Sequence, residues 1–364
     1  MAPSQPSQSP QVRVLVVDDS AYNRRTIADV FVGATDVEVV GKAADGEEAL
    51  LLATLLKPDV ITLDLEMPRM DGFTFLRILM AKQPTPVIVV SSYSQKENVF
   101  KALELGALDF VAKPDQRLAP GGVDVKDEIL TKVRLLRTIR PSLFPRIKRP
   151  VGLAGSGFSL DGKEVEHALV SVNRTPPKYV VAIGSSTGGP SALLEIFSKV
   201  PATTPAGFLV AQHMPDKFTR TFAERIDRRG AVRMSEAQEG DTLFRCSGFV
   251  CPGRQCMEVA VVNQELRVKV GPARAGDRYV PSVDRLLTSA ANAAGKSAIA
   301  VVLTGMGDDG LVGARAVHEA GGMVIAESQE TAVVYGMPGS VVRAGLADKV
   351  LGLGQIAELI ASLS

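Results

Sequence analysis

Short apolar runs separated by amphipathic stretches set the rhythm of the first 138 residues. Runs at 14–17, 37–40, 60–63, 87–90 and 110–111 are strand candidates. Apolar positions at helical spacing fill 21–31, 46–55, 73–81 and 96–105, and a final helical stretch covers 123–138. Ser20 stands where the first helix needs an N-cap. Strands and helices alternating in this way predict a parallel sheet wrapped by helices.

The pattern breaks after residue 138. Pro141, Pro145, Pro150, Pro176 and Pro177 and a loose Gly/Ser run at 152–157 make 139–177 an expected interdomain linker. Its basic cluster (Arg134, Arg137, Arg140, Arg146, Lys148, Arg149) reads more simply as a solvated helix end than as a docking surface. Periodicity returns at Tyr179. Strands are expected at 180–183, 208–212, 299–303 and 323–326, and helices at 191–199, 218–228, 283–294 and 311–320. A β-hairpin is expected over 249–270. The expected layout is a tail at 1–11, an α/β domain at 12–138, the linker, and a doubly wound, mostly parallel α/β domain at 178–364.

Composition narrows the function classes. With 41 basic and 40 acidic residues the net charge is +1, which calls for no nucleic-acid partner and no anionic membrane surface. No run approaches the roughly 18 apolar residues of a spanning helix. The Pro/Ser/Gln-rich start lacks the basic and apolar regions of a secretory signal, so a cytoplasmic protein is expected. Cys246, Cys251 and Cys256 have no fourth ligand nearby in sequence and read as reduced packing residues.

Chemistry-bearing residues sit at the carboxyl ends of the expected strands, where open parallel sheets gather their functional groups. In the first domain these are Asp18 and Asp19, Asp64, Ser91 and Lys113. Three converging carboxylates repel unless a hard cation joins them, and Mg²⁺ suits oxygen ligands. Such an ion would also stabilise charge on a phosphoryl group. Lys113 would pair with a phosphoryl oxygen and Ser91 would donate a hydrogen bond to one. One strand-end Asp is usually a cap; five such residues at the ends of the first, third, fourth and fifth strands are harder to explain that way.

In the second domain the strand at 180–183 runs into Gly184-Ser185-Ser186-Thr187-Gly188-Gly189, with Pro190 suited to a first helical turn. The turn could cradle a phosphate or present Ser186 as a nucleophile, since 184–188 satisfies G-x-S-x-G. It does not satisfy the dinucleotide pattern G-x-G-x-x-G. Of three histidines, His213 alone follows a strand of this sheet; His167 falls in the linker and His318 in a helix. Thr304-Gly-Met-Gly-Asp-Asp-Gly310 supplies Asp308 and Asp309 to orient an imidazole. The order Ser…His…Asp disfavours an α/β-hydrolase, whose order is Ser…Asp…His.

The first domain resembles the receiver domain of two-component response regulators, a flavodoxin-like (βα)5 fold. The resemblance rests on Val16-Val-Asp-Asp19, Asp64 with Met67-Pro68 and Asp71-Gly72, and Lys113-Pro114. It implies Asp64 as phospho-acceptor, Asp18, Asp19 and Asp64 as the Mg²⁺ site, and Ser91, Phe110 and Lys113 as switch residues. The second domain resembles the catalytic domain of the chemotaxis protein-glutamate methylesterase/glutamine deamidase family, CheB. That resemblance rests on Ile183-Gly-Ser-Ser-Thr-Gly-Gly189, Gln212-His-Met-Pro215, Pro281-Ser-Val-Asp284, Leu303-Thr-Gly-Met-Gly-Asp-Asp-Gly310 and Gly336-Met-Pro338. Ser185 replaces a common Ala, and Asp308 stands where Asn also occurs.

The resemblance implies Ser186 as nucleophile, His213 as base and Asp309 as its partner, with Thr187 and Met306 lining the site and the Met306 N–H donating to an oxyanion. It also implies hydrolysis of glutamyl methyl esters and deamidation of glutamines on chemoreceptors, with no cofactor at the hydrolase site, and a CheA-type histidine kinase as phosphodonor. Because the phospho-acceptor and the triad lie in separate sheets, the unphosphorylated receiver is expected to act as an inhibitory lid. Two rivals remain: a DNA-binding regulator, which would need a small helical output domain, and a catalytically silent adaptor.

Overall fold

The computed structural model describes residues 11–92, 96–113, 125–136 and 174–364. The chain divides into two compact units, residues 1–149 and 150–364. The expected tail up to residue 10 and most of the expected linker, with His167 and Pro114, lie outside the described residues.

The first unit is a five-stranded sheet of β1 (Val12–Val17), β2 (Val37–Ala43), β3 (Val60–Leu63), β4 (Val87–Ser91) and β5 (Asp109–Ala112). The order is β2-β1-β3-β4-β5, parallel throughout. Helices α1 (Ala21–Asp29), α2 (Gly46–Leu56), α3 (Gly72–Lys82), α4 (Lys96–Glu104) and α5 (Val125–Leu136) connect and flank the strands. Every residue of β3, β4 and β5 is buried, which is why these strands read as continuous apolar runs rather than alternating ones. The expected capping holds: the Asn23 N–H donates to the Ser20 hydroxyl. The Asp71-Gly72 pair has two local roles. Asp71 caps α3 by accepting from the Thr74 N–H at 2.7 Å, and a Cβ on Gly72 would collide with the carbonyl oxygen of Asp64.

The second unit holds a seven-stranded sheet. Its strands are β6 (Tyr179–Ser185), β7 (Ala206–Gln212), β8 (Arg233–Glu236), β9 (Ser247–Val250), β12 (Ala298–Val302), β13 (Met323–Glu327) and β14 (Lys349–Leu351). The order is β14-β13-β12-β6-β7-β9-β8, all parallel, beside a separate antiparallel hairpin of β10 (Cys256–Val262) and β11 (Glu265–Gly271). One expectation needs correcting. The hairpin begins at Cys256, and residues 247–250 belong to the main sheet. Gly248 permits this, because a Cβ there would press on the Phe208 backbone of the neighbouring strand.

Helices form two groups. One comprises α6 (Gly189–Phe197), α7 (Asp216–Arg229) and α11 (Leu353–Ala361); the other comprises α8 (Val283–Ala294), α9 (Leu311–Glu319) and α10 (Met337–Arg343). A single apolar cluster joins α8 and α9 to the sheet and to the hairpin, through residues such as Leu287, Val302, Val317 and Val259. The chain enters this sheet at central β6, steps outward through β7, then returns on the other side at β12. The order therefore reverses around β6, and the loops after β12, β6 and β7 meet at a topological switch point. Among the described residues no helix is long and apolar enough to cross a membrane.

Candidate active site and candidate phospho-acceptor site

Three adjacent strands of the second sheet deliver Ser186, His213 and Asp309. Ser186 follows β6, where its N–H donates to the Thr304 carbonyl (2.9 Å) and its own carbonyl accepts from the Gly189 N–H (2.8 Å). Gly188 takes φ +80°, a left-handed geometry that turns the strand abruptly into α6. A side chain on Gly189 would collide with Gln212, so this turn tolerates nothing larger.

His213 follows β7, and its N–H donates to the Ser185 carbonyl (3.0 Å). Gln212, 2% exposed, ties the two turns together. Its Oε1 accepts from the Ser185 hydroxyl at 2.7 Å, and its Nε2 donates to the carbonyls of Ser186 and His213 at 2.9 and 3.0 Å. Every polar atom of that amide is used, so the turns carrying Ser186 and His213 are fixed by one buried side chain.

Asp309 is 1% exposed, and its carboxylate sits at the start of α8. Oδ2 accepts from the Val283 N–H (2.8 Å) and Oδ1 from the Asp284 N–H (2.9 Å). These are first-turn donors that a helix cannot satisfy internally, at the positive end of its dipole. The His213 ring lies at 2.8 Å, Nε2 to Oδ2. A carboxylate already accepting two N–H bonds is an acceptor here, so Nε2 carries hydrogen and Nδ1 is left free to take a proton. Among the described residues no hydrogen bond joins the Ser186 hydroxyl to His213; in resting hydrolase sites that bond is often loose and tightens with substrate.

Asp308, the neighbouring acid, points elsewhere. It is paired with Arg278 at 3.1 Å and accepts from the Tyr279 hydroxyl at 3.2 Å. Thr187 is buried, with its carbonyl held by the Thr304 hydroxyl at 2.8 Å. Met306 is 41% exposed, beside the loop whose Gly305 approaches the Ser186 Cβ. Among the described residues the Met306 N–H has no hydrogen-bond acceptor.

Two supporting residues carry no motif that would mark them in sequence. Tyr279 stacks on His213, with ring centroids 5.3 Å apart and planes 10° apart. Glu327 ends β13 fully buried, accepts from the Thr304 N–H (2.8 Å) and the Thr331 hydroxyl (2.9 Å), and so holds the residue that anchors Ser186. Burial pushes its carboxyl from an ordinary 4.5 up to about 7. The three cysteines are free, and burial raises each thiol, as expected of packing residues.

The first sheet builds a different site. Asp18, Asp19 and Asp64 each place a carboxylate oxygen within 4.8 Å of the others. Lys113 Nζ lies 2.7 Å from Asp64 and 3.0 Å from Asp18. Burial raises the Asp64 carboxyl above its usual range, with Asp18 adding to the rise and Lys113 opposing it. Burial works to lower the Lys113 ammonium, but the two carboxylates outweigh it and hold it above its ordinary value. Asp18 is fully buried, and its Oδ2 is the oxygen that faces Lys113. An all-oxygen set of three clustered carboxylates, with one lysine against two of them, fits a hard divalent cation. Ser91 ends β4 buried, and Phe110 on β5 is buried edge-on to Phe100, centroids 6.2 Å apart.

The chain matches the family model described as CheB methylesterase over residues 181–360 and the response regulator receiver domain over residues 14–119. It is 45% identical to the protein-glutamate methylesterase/protein-glutamine glutaminase 1 of Myxococcus xanthus, covering 97% of both chains. It is 38% identical to a protein of the same description from Pyrococcus abyssi, covering 96% of this chain and 93% of that one. Among solved structures, the CheB methylesterase catalytic domain of Thermotoga maritima aligns with 39% identity and a TM-score of 0.50. That alignment covers 51% of this chain and 98% of the other.

Proposed function

Because the chain belongs to the CheB family, an enzyme of protein-glutamate methylesterase and protein-glutamine glutaminase type behind a receiver domain, we propose that Ser186, His213 and Asp309 carry out its hydrolysis. The carrying observation is the His213–Asp309 bond, set at the switch point beside Ser186. Ser186 Oγ attacks the side-chain carbonyl carbon of a glutamyl methyl ester, and its proton passes to His213 Nδ1. The carbonyl π pair moves to oxygen, and the Met306 N–H donates to the oxyanion. Collapse of the tetrahedral intermediate expels methanol, protonated from His213, and leaves an acyl-enzyme. Water activated by the same ring then releases the glutamate carboxylate. A glutamine amide follows the same course with ammonia leaving. Asp309, pinned by two backbone N–H groups, keeps the ring in one tautomer and stabilises its charged form.

Asp64 is the proposed phospho-acceptor, supplied by a histidine kinase of CheA type, and the proposed substrates are methylated chemoreceptors in the cytoplasm. Mg²⁺ held by Asp18, Asp19 and Asp64 would supply charge neutralisation for the phosphoryl group. Lys113 pairs with a phosphoryl oxygen and the Ser91 hydroxyl donates to another. Phosphorylation then lifts a restraint that the receiver places on the hydrolase, with Phe110 changing its packing as Ser91 is drawn in. Methanol release from a methyl-esterified receptor fragment tests the hydrolytic half: the parent should release it and Ser186→Ala should not. An active Ser186→Ala would remove the assignment. Phosphodonor labelling tests the receiver half: Asp64→Ala should lose Mg²⁺-dependent label.

A further inference from the structure

The loop between β11 and α8 does more than connect. It reaches the active site through Arg278 and Tyr279, and three contacts fix it there. The Tyr279 hydroxyl donates to Asp308 at 3.2 Å. Arg278 pairs with the same carboxylate at 3.1 Å, with its guanidinium 5.4 Å from the Tyr279 ring centroid, so the Tyr279 ring faces both this cation and His213. A Cβ on Gly307 would collide with the Tyr279 hydroxyl, so the absent side chain, at a residue with φ +82°, makes room for the phenol. At its base the loop is held by Arg285, which bonds Asp277 at 2.8 Å and Glu258 of β10 at 2.6 Å. The result is an aromatic ring parallel to the His213 imidazole, 5.3 Å away and inclined by 10°.

We propose that Tyr279 is a positioning residue of the hydrolase, whose ring face stabilises the His213 imidazolium formed when the ring takes the Ser186 proton. This rests on the reading of His213 as general base. The physical basis is that an aromatic face carries negative quadrupole density and attracts a cation within about 6 Å. A neutral imidazole gains little from that field and an imidazolium gains more. The interaction therefore strengthens as the transition state forms, which is the condition for raising kcat rather than merely binding substrate. The phenol itself stays neutral, because burial and the charge of Asp308 push it above its ordinary range. Asp308 thus acts at one remove, by aiming Tyr279, while Asp309 acts on the imidazole directly.

The test compares the full-length parent with Tyr279→Leu, which keeps an apolar but smaller side chain and loses the aromatic face, and Tyr279→Phe, which keeps the face and loses the hydroxyl. His213 titration is read by NMR, feasible in a chain with three histidines, and methanol release is measured in parallel. In Tyr279→Leu the His213 titration should move to lower pH. Its kcat should fall about tenfold with KM changing less, and the acid limb of the rate profile should shift down with the titration. Tyr279→Phe should lie between parent and Leu on each measure. An unchanged titration in Tyr279→Leu overturns the proposal, as does a Phe variant as impaired as Leu, which would place the effect in the Asp308 bond. The titration does not depend on turnover, so a failure of the esterase reading would appear as a shifted titration without methanol release by the parent.

Discussion

The two sheets place their chemistry at the same topological position and finish it to different degrees. At the hydrolase site the charged and polar groups are satisfied from within: Asp309 accepts two backbone N–H groups and meets His213, and the Gln212 amide uses every atom. At the receiver site the groups are left in conflict. Asp64 is buried beside Asp18, which raises its carboxyl, and one lysine serves both acids. The first arrangement suits chemistry that must be ready before substrate arrives, because preorganised dipoles need no rearrangement at the moment of reaction. The second suits a switch, because an unresolved balance can be tipped by a cation and a phosphoryl group.

The strongest test of preorganisation is to take away its members. Ser186→Ala and His213→Ala should each lower methanol release by at least about a thousandfold, and the double variant by little more, since the two act as a unit. Additive losses would mean that they work separately. Asp309→Asn should cost about a hundredfold or more, because the amide cannot accept from both backbone and ring in the same way. Asp308→Asn should stay within a few-fold, as it faces Arg278 and Tyr279 at a half-exposed position. A reversal of that ranking would transfer the acid's role to Asp308.

Smaller and of another kind is the effect of Glu327, a buried carboxyl near the hydrolase site. Its carboxyl is raised to about 7 by burial, so the folded protein holds that proton more tightly than the unfolded chain does. The contribution is fully present below pH 4.5 and is lost as pH rises through about 7. It amounts to about 3 kcal/mol at most. Denaturant unfolding of the catalytic unit between pH 4.5 and 8 should show this decline in the parent and a flatter profile in Glu327→Gln. Parallel profiles would show that the carboxyl does not titrate there.

Much of this was legible in the chain. The strands that carry chemistry are buried, apolar and central, so the runs at 60–63, 180–183 and 299–303 announced both the strand and the site at its end. Elements without such a signal escaped. The edge strand β14 has three residues and is largely exposed, and β8 is a four-residue edge strand. Helix α10 has seven residues and buries five in succession, which leaves no amphipathic period to read. The supporting residues escaped for a related reason. Tyr279 and Glu327 lie in no motif, Gln212 lies in one without showing what it holds, and their roles exist only because β6, β7, β12, β13 and the loop after β11 converge. Ser186, His213 and Asp309 stand out as candidates because their chemistry is written in residue type; what holds them is written in contacts.

The central claim is that an unresolved charge balance in one sheet governs a finished catalytic site in the other. Methanol release by the full-length chain, measured with Mg²⁺ before and after addition of a small acyl-phosphate donor, tests it most directly, with Asp64→Ala alongside. The account predicts a rise of roughly 5- to 150-fold in the parent, the span of a typical allosteric coupling, and none in Asp64→Ala. A rate that does not change when Asp64 is phosphorylated, or one that rises equally in the Asp64→Ala chain, would contradict it.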